Sequence, residues 1–279
     1  MLLSTEGYSI CKRYGEEEAF RILKKTGFDA CDFSFYYEWL DVLKGDYMNN
    51  AKKTKAALDS AGLLCNQAHA PFEIKEGEAF NETCENYLLT VRSIEYAAYL
   101  GAKQIIVHLI PTANRDELYA YNQKFYKSLE PYGKKYGIKI AVENDFERRD
   151  GKVLPLLGDP KSFSEFVKDL GSDIFVACLD IGHAAMFSDP AEFINNMDPS
   201  LLKALHIHDN DLHEDLHLFP MTGNMDWSAL CEALKNSGYD GDFTLEPIKG
   251  FYKIPIELTE DALYFLAKTG RYLIQKAGK

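Results

Sequence analysis

Eight times along this chain a short apolar run is followed by a longer amphipathic stretch, and four of those stretches stop at a glycine: Gly27, Gly62, Gly101 and Gly137. The short runs cover residues 2–4, 28–33, 63–68, 103–107, 138–142, 174–179, 203–207 and 242–245. The amphipathic stretches, at 16–26, 48–61, 78–100, 116–136, 160–170, 191–197, 227–237 and 259–277, carry helical periodicity. Glycine is the usual residue where a helix must end in a left-handed turn. Strands alternating with helices imply a parallel sheet with helical crossovers, because parallel neighbours cannot be joined by a tight turn. Strict repetition, with no glycine-rich dinucleotide turn, favours closure over an open sheet. The expected fold is an α/β, (β/α)8 TIM barrel, and the 279 residues form one domain over 1–279. Barrels of this kind need about 250 residues.

In such a barrel the chemistry lies at the C-terminal ends of the strands. Here those ends carry His69, His108, Glu143, Asp180, His206 and Glu246, one from each of the third to eighth strands. Their spacings of 39, 35, 37, 26 and 40 residues are each about one strand–helix unit, so residues distant in sequence converge on one rim. The densest stretch, Leu201 to His217, ends a buried strand in four histidines and four acidic residues. All seven histidines fall at strand ends or in the loops that follow. Neutral imidazole and carboxylate are the common protein ligands of divalent metals. Glu143, Asp180, His206 and Glu246 make an oxygen-rich set suited to Mn²⁺, Mg²⁺, Co²⁺ or Zn²⁺. His69 and His108 can share Glu143 with it. His183, Asp215 and His217 make a further nitrogen-rich group that leans towards zinc. The expected count is therefore one to three ions.

Composition narrows the partners. A formal charge of −12 opposes general attraction to nucleic acid or to anionic membrane. No run reaches the ~18 apolar residues of a membrane span, and the first residues lack the pattern of a signal peptide. The six cysteines are scattered, with no Cys-x-x-Cys pair, as expected of reduced structural thiols in a cytoplasmic protein. Nothing in the chain opposes a homo-oligomer.

Three segments carry a resemblance. Leu-Asp-Ile-Gly-His at 179–183, His-Ile-His-Asp-Asn-Asp at 206–211 and Gly-Tyr-Asp-Gly-Asp-Phe-Thr-Leu-Glu at 238–246 resemble recurring strand motifs of the xylose isomerase-like TIM-barrel superfamily. That superfamily contains sugar isomerases and epimerases together with endonuclease IV, and the resemblance covers nearly the whole chain. Its ketose 3-epimerase branch implies that Glu143 and Glu246 bind a metal and exchange the substrate proton. It also implies that Asp180 and His206 complete the coordination and that His183 steadies the substrate oxygens. That branch usually carries an arginine soon after the seventh-strand histidine, where this chain has Asn210, Asp211 and Leu212. The endonuclease IV branch implies three zinc ions held by His69, His108, Glu143, Asp180, His183, His206, Asp215, His217 and Glu246.

A DNA enzyme also needs cationic loops to follow phosphates. The loop after the second strand reads Phe-Tyr-Tyr-Glu-Trp-Leu-Asp, with no Arg or Lys before Lys44, and the tract after the seventh is acidic. Such loops suit a small carbohydrate-like molecule, with Trp39 and Phe72 as walls. The expected function is a divalent-metal isomerase or epimerase of a sugar or sugar phosphate, moving a proton through an enediolate with Glu143 or Glu246 as base and His183 orienting the substrate. The alternatives are an endonuclease IV-like phosphodiesterase acting on abasic DNA and a metal-dependent lyase or dehydratase.

Overall fold

The computed structural model describes residues 1–72 and 74–278. Eight strands run parallel: β1 (Leu3–Glu6), β2 (Ala30–Ser34), β3 (Leu64–His69), β4 (Gln104–Val107), β5 (Lys139–Glu143), β8 (Phe175–Asp180), β9 (Leu202–His206) and β10 (Phe243–Leu245). Their order is β10-β1-β2-β3-β4-β5-β8-β9. The ring closes where Ile207 N donates to Thr244 O at 2.9 Å and Glu246 N to Ile207 O at 2.8 Å. This is a TIM barrel, and each strand lies within two residues of its expected limits.

The described residues also form ten α-helices: α1 (Tyr8–Tyr14), α2 (Glu16–Thr26), α3 (Tyr47–Ala61), α4 (Glu85–Leu100), α5 (Leu118–Tyr136), α6 (Pro160–Asp169), α7 (Ile181–Ala185), α8 (Pro190–Asn196), α9 (Trp227–Ser237) and α10 (Thr259–Lys276). The helix expected from residue 78 begins at Glu85 instead. Phe80 adopts φ 55°, and the Asn81 side chain accepts from Thr83 N at 3.0 Å, so a local turn competes with the helix there. The short helices α1 and α7 were not expected. Neither was a hairpin formed by the remaining two strands, β6 (Phe146–Arg149) and β7 (Lys152–Pro155), within the β5–α6 connection. No described helix is long and apolar enough to cross a membrane.

Most of the apolar core lies between barrel and helices. A small second cluster of Ile106, Ala141, Val176, Cys178 and Ala204 fills the barrel interior. Burial of apolar area at about 25 cal/mol per Å² makes these two layers the main source of stability. The next inward-facing positions towards the C-terminal rim are polar: Asp32, His69, Glu143, Asp180 and His206, all buried. The period-two alternation of a strand puts them one layer above the plug. All six cysteines are unpaired thiols.

Candidate metal centre

The rim brings the nine sequence-selected donors together in a series of neighbouring groups. At the first, His69 Nε2 lies 3.5 Å and His108 Nε2 2.8 Å from Glu143 Oε2. This buried oxygen nevertheless meets no aligned hydrogen-bond donor. At the second, His183 Nε2 lies 3.9 Å from Asp215 Oδ1, and His217 Nε2 lies 3.0 Å from Asp215 Oδ2. Asp215 Oδ1 is also without a hydrogen-bond partner. Between them, His206 Nδ1 lies 2.7 Å from Glu143 Oε1 and 3.6 Å from Glu246 Oε2. Donor atoms of Glu143, Asp180 and His183 lie within 4.8 Å of one another, as do those of His208, His217 and Glu246. An unpaired buried carboxylate oxygen costs free energy unless something cationic satisfies it.

The far side of each ring is held as well. His69 Nδ1 faces Ala70 O at 2.9 Å, His183 Nδ1 faces Asn144 O at 2.9 Å and His217 Nδ1 faces Glu246 O at 2.8 Å. His108 Nδ1 lies 3.2 Å from Asp145 Oδ2. A proton held on Nδ1 by a carbonyl or carboxylate leaves the Nε2 lone pair facing the centre, as in metal-binding histidines. The residues present therefore fit one or more divalent cations. Local backbone serves the same end. Asp180 caps α7 by accepting from His183 N at 2.8 Å, which fixes the imidazole one turn on. His217 adopts φ 44°, a strained conformation of the kind found at binding sites.

Electrostatics without a cation divide the acids. Burial raises Glu246 to about 8. Burial also works to raise Glu143, but the His206 and His108 imidazoles hold it well below the usual carboxylate range. For His183, desolvation is outweighed by Asp180, Glu143 and Asp215, and its pKa rises to about 9. Burial pushes His69 and His217 down. Protons thus occupy positions that a cation would take.

The family model for the xylose isomerase-like TIM barrel matches residues 20–269. The chain belongs to the xylose isomerase-like TIM-barrel family. An uncharacterized protein of Methanocaldococcus jannaschii, MJ1311, is 33% identical over 189 residues, which span 64% of this chain and 62% of that protein. The crystal structure of a D-tagatose 3-epimerase-like protein superposes with a TM-score of 0.79 at 24% identity, covering 100% of this chain and 98% of the other. That of the IolI protein with a binding zinc atom gives 0.75 at 18% identity, covering 99% and 98%.

In this xylose isomerase-like barrel all of the nine donors except Asp180 and His206 line a cavity of about 270 Å³, together with Tyr36, Phe72, Phe146, Ile248, Lys249 and Tyr252. Phe72 lines this cavity, and its ring stacks on His108 with centroids 5.5 Å apart. Trp39 does not. It packs edge-on against Tyr8 at 5.6 Å, and Tyr8 in turn meets Tyr36, so the indole stands behind the lining ring. The unexpected hairpin supplies Phe146, whose ring meets His183 at 5.0 Å. The hairpin is tied to the loop after β4 by Arg149 Nη1, which donates to Ala113 O at 3.0 Å, and by Arg115 Nη2, which donates to Pro155 O at 2.7 Å.

Sequence reasoning also missed His208, which takes Asp180 as its partner (Nε2 to Oδ1, 3.1 Å) and stacks on His217 at 4.0 Å. Its signal was present, because position 208 shares the strand face of His206. Asp32 was equally legible as an acid inside an apolar run. Of the seven histidines, His213 is exposed on its loop.

Proposed function

We propose that this protein is a divalent-metal-dependent isomerase or epimerase acting on a sugar or sugar phosphate. The observation that carries the reading is the convergence of Glu143 and Glu246 on one nitrogen, His206 Nδ1, at 2.7 and 3.6 Å, with both glutamates lining a cavity of small-molecule size. A divalent cation held by Glu143, Asp180, His206 and Glu246 would stabilise negative charge on the carbonyl and adjacent hydroxyl oxygens of the substrate. Glu143, kept ionised by its imidazole neighbours, is suited to take the proton from the carbon beside the carbonyl. Glu246, with its pKa raised to about 8, is suited to return one. His183 lines the same cavity and, with its pKa raised to about 9, is protonated on Nε2 as well near neutral pH, so that it can donate to a substrate hydroxyl. Phe72, Phe146 and Tyr36 offer apolar faces to the carbon skeleton and exclude water. The epimerase-like and zinc-bearing structural neighbours support this reading at the level of fold.

The test is a panel of free and phosphorylated ketoses and aldoses in deuterated water, with each of Mn²⁺, Mg²⁺, Co²⁺ and Zn²⁺. The expected result is metal-dependent deuterium incorporation beside the carbonyl. A panel without exchange removes the proposal, and a dehydrated product would make the enzyme a lyase.

One observation favours a second reading. All nine donors of an endonuclease IV-type centre converge, with His69, His108 and Glu143 at one side and His183, Asp215 and His217 at the other. Against it stands the charge of the mouth. Among the described lining residues Lys249 is the only lysine or arginine, and its Nζ lies 3.5 Å from Asp215 Oδ2. Chelator-sensitive cleavage of an abasic duplex would favour the nuclease.

A further inference from the structure

His206 differs from the other centre histidines in which nitrogen faces the donors. Four of them turn Nε2 inward and hold Nδ1 against a carbonyl or carboxylate. In His206 the order is reversed. Nδ1 points to Glu143 Oε1 at 2.7 Å and Glu246 Oε2 at 3.6 Å, while Nε2 lies 3.3 Å from Asp32 Oδ2. Asp32 is itself held. Gln67 Nε2 donates to the same Oδ2 at 2.9 Å, and Gln104 Nε2 reaches Gln67 Oε1 at 3.4 Å. Asp32, Gln67 and His206 are each no more than 1% exposed, so water cannot replace these contacts. The line runs from inside the barrel, across β4, β3 and β2, to the imidazole on β9.

We propose that Asp32 is a positioning residue that keeps the proton of His206 on Nε2 and so makes Nδ1 the metal-binding nitrogen. The proposal rests on the reading of this rim as a divalent-metal centre. The physical reason is tautomeric. A neutral imidazole carries one N–H, a carboxylate accepts but cannot donate, and the proton therefore stays on the nitrogen facing Asp32. The lone pair is left on Nδ1, directed between Glu143 and Glu246. A carboxylate behind a ligating histidine also raises its basicity, and loss of such a partner typically weakens metal binding about 10–100-fold.

The experiment uses the full-length protein loaded with zinc and labelled with ¹⁵N-histidine. Long-range ¹H–¹⁵N correlation spectra identify the protonated nitrogen of His206, and chelator competition gives zinc affinity for wild type, D32A, D32N, H206N and H206Q. In the wild type Nε2 is expected to carry the proton. D32A should bind zinc about 10–100-fold more weakly. D32N keeps an acceptor oxygen and should fall between. An asparagine oxygen superposes on Nδ1 and a glutamine oxygen on Nε2, so H206N should retain more affinity than H206Q. A zinc-loaded wild type with the His206 proton on Nδ1, or with D32A and D32N of unchanged affinity, overturns the proposal and leaves the metal centre standing. A wild type that binds no divalent metal overturns both. The spectrum of the wild type decides the tautomer even if D32A fails to fold.

Discussion

His69 and His108 turn their Nε2 atoms to within 3.0 Å of each other. With both Nδ1 atoms engaged behind them, two lone pairs face one another beside Glu143, an arrangement stable only around a cation or a shared proton. Zinc-loaded H108A is therefore expected to hold about one ion fewer than wild type by elemental analysis, with the His183, Asp215 and His217 group still filled. Equal stoichiometry in the two proteins would mean that this pair binds no metal.

The protonation pattern sets a pH dependence. His183 rises from 6.5 to about 9 on folding, so the stability it contributes is fully present below pH 6.5 and is lost as pH climbs through 9. Glu246, raised from 4.5 to about 8, binds more protons folded than unfolded between those values, so its contribution also falls with rising pH. Metal-free protein should thus lose Tm between pH 6.5 and 9. Zinc should remove that slope by displacing the protons, and its apparent affinity should rise about tenfold per pH unit for each proton released. Differential scanning calorimetry with and without metal reads both effects.

Exchange chemistry should separate the glutamates from the rest of the rim. E143Q and E246Q are each expected to lower kcat about 10²–10⁴-fold on whichever sugar shows exchange, with the circular dichroism spectrum unchanged. If one variant retains wild-type exchange, that glutamate is not a proton carrier.

Close approach rather than backbone conformation constrains Gly182. A Cβ there would fall 1.9 Å from His208 Cε1, and the ring has little room to retreat because it stacks on His217. G182A should cost about 1–3 kcal/mol, read as a lowered denaturation midpoint, and should loosen His208 from Asp180. Wild-type stability in G182A would show that the ring can move.

The aromatic wall can be tested by contrast. F72A should raise KM by up to about tenfold, the scale of one aromatic contact. W39A should lower Tm through its contact with Tyr8 and leave KM unchanged. A KM effect in W39A as large as in F72A would place the indole in the site after all.

The barrel and the side chains that meet at its rim are legible in the sequence, and the limits of that legibility are physical. A strand advertises itself through five or six consecutive residues, and position at its end is a local property. Hence His69, His108, Glu143, Asp180, His206 and Glu246 could be picked out one by one. The hairpin carrying Phe146 is polar and held by Arg149 and Arg115, so it gives no apolar alternation to read. Trp39 sits in an aromatic run in which several rings compete for one wall, and only packing against Tyr8 and Tyr36 chooses among them.

What this sequence determined by itself is the order of the staves and the chemical type of group at each tip, because periodicity, helix stops and strand ends are written within a few neighbouring residues. Tertiary structure alone decided which nitrogen of each imidazole faces inward, that Asp180 takes His208 as its partner, and that Asp32 stands behind His206. Those choices depend on contacts between residues as far apart as the 174 positions that separate Asp32 from His206, and such pairs meet only once the cylinder has closed.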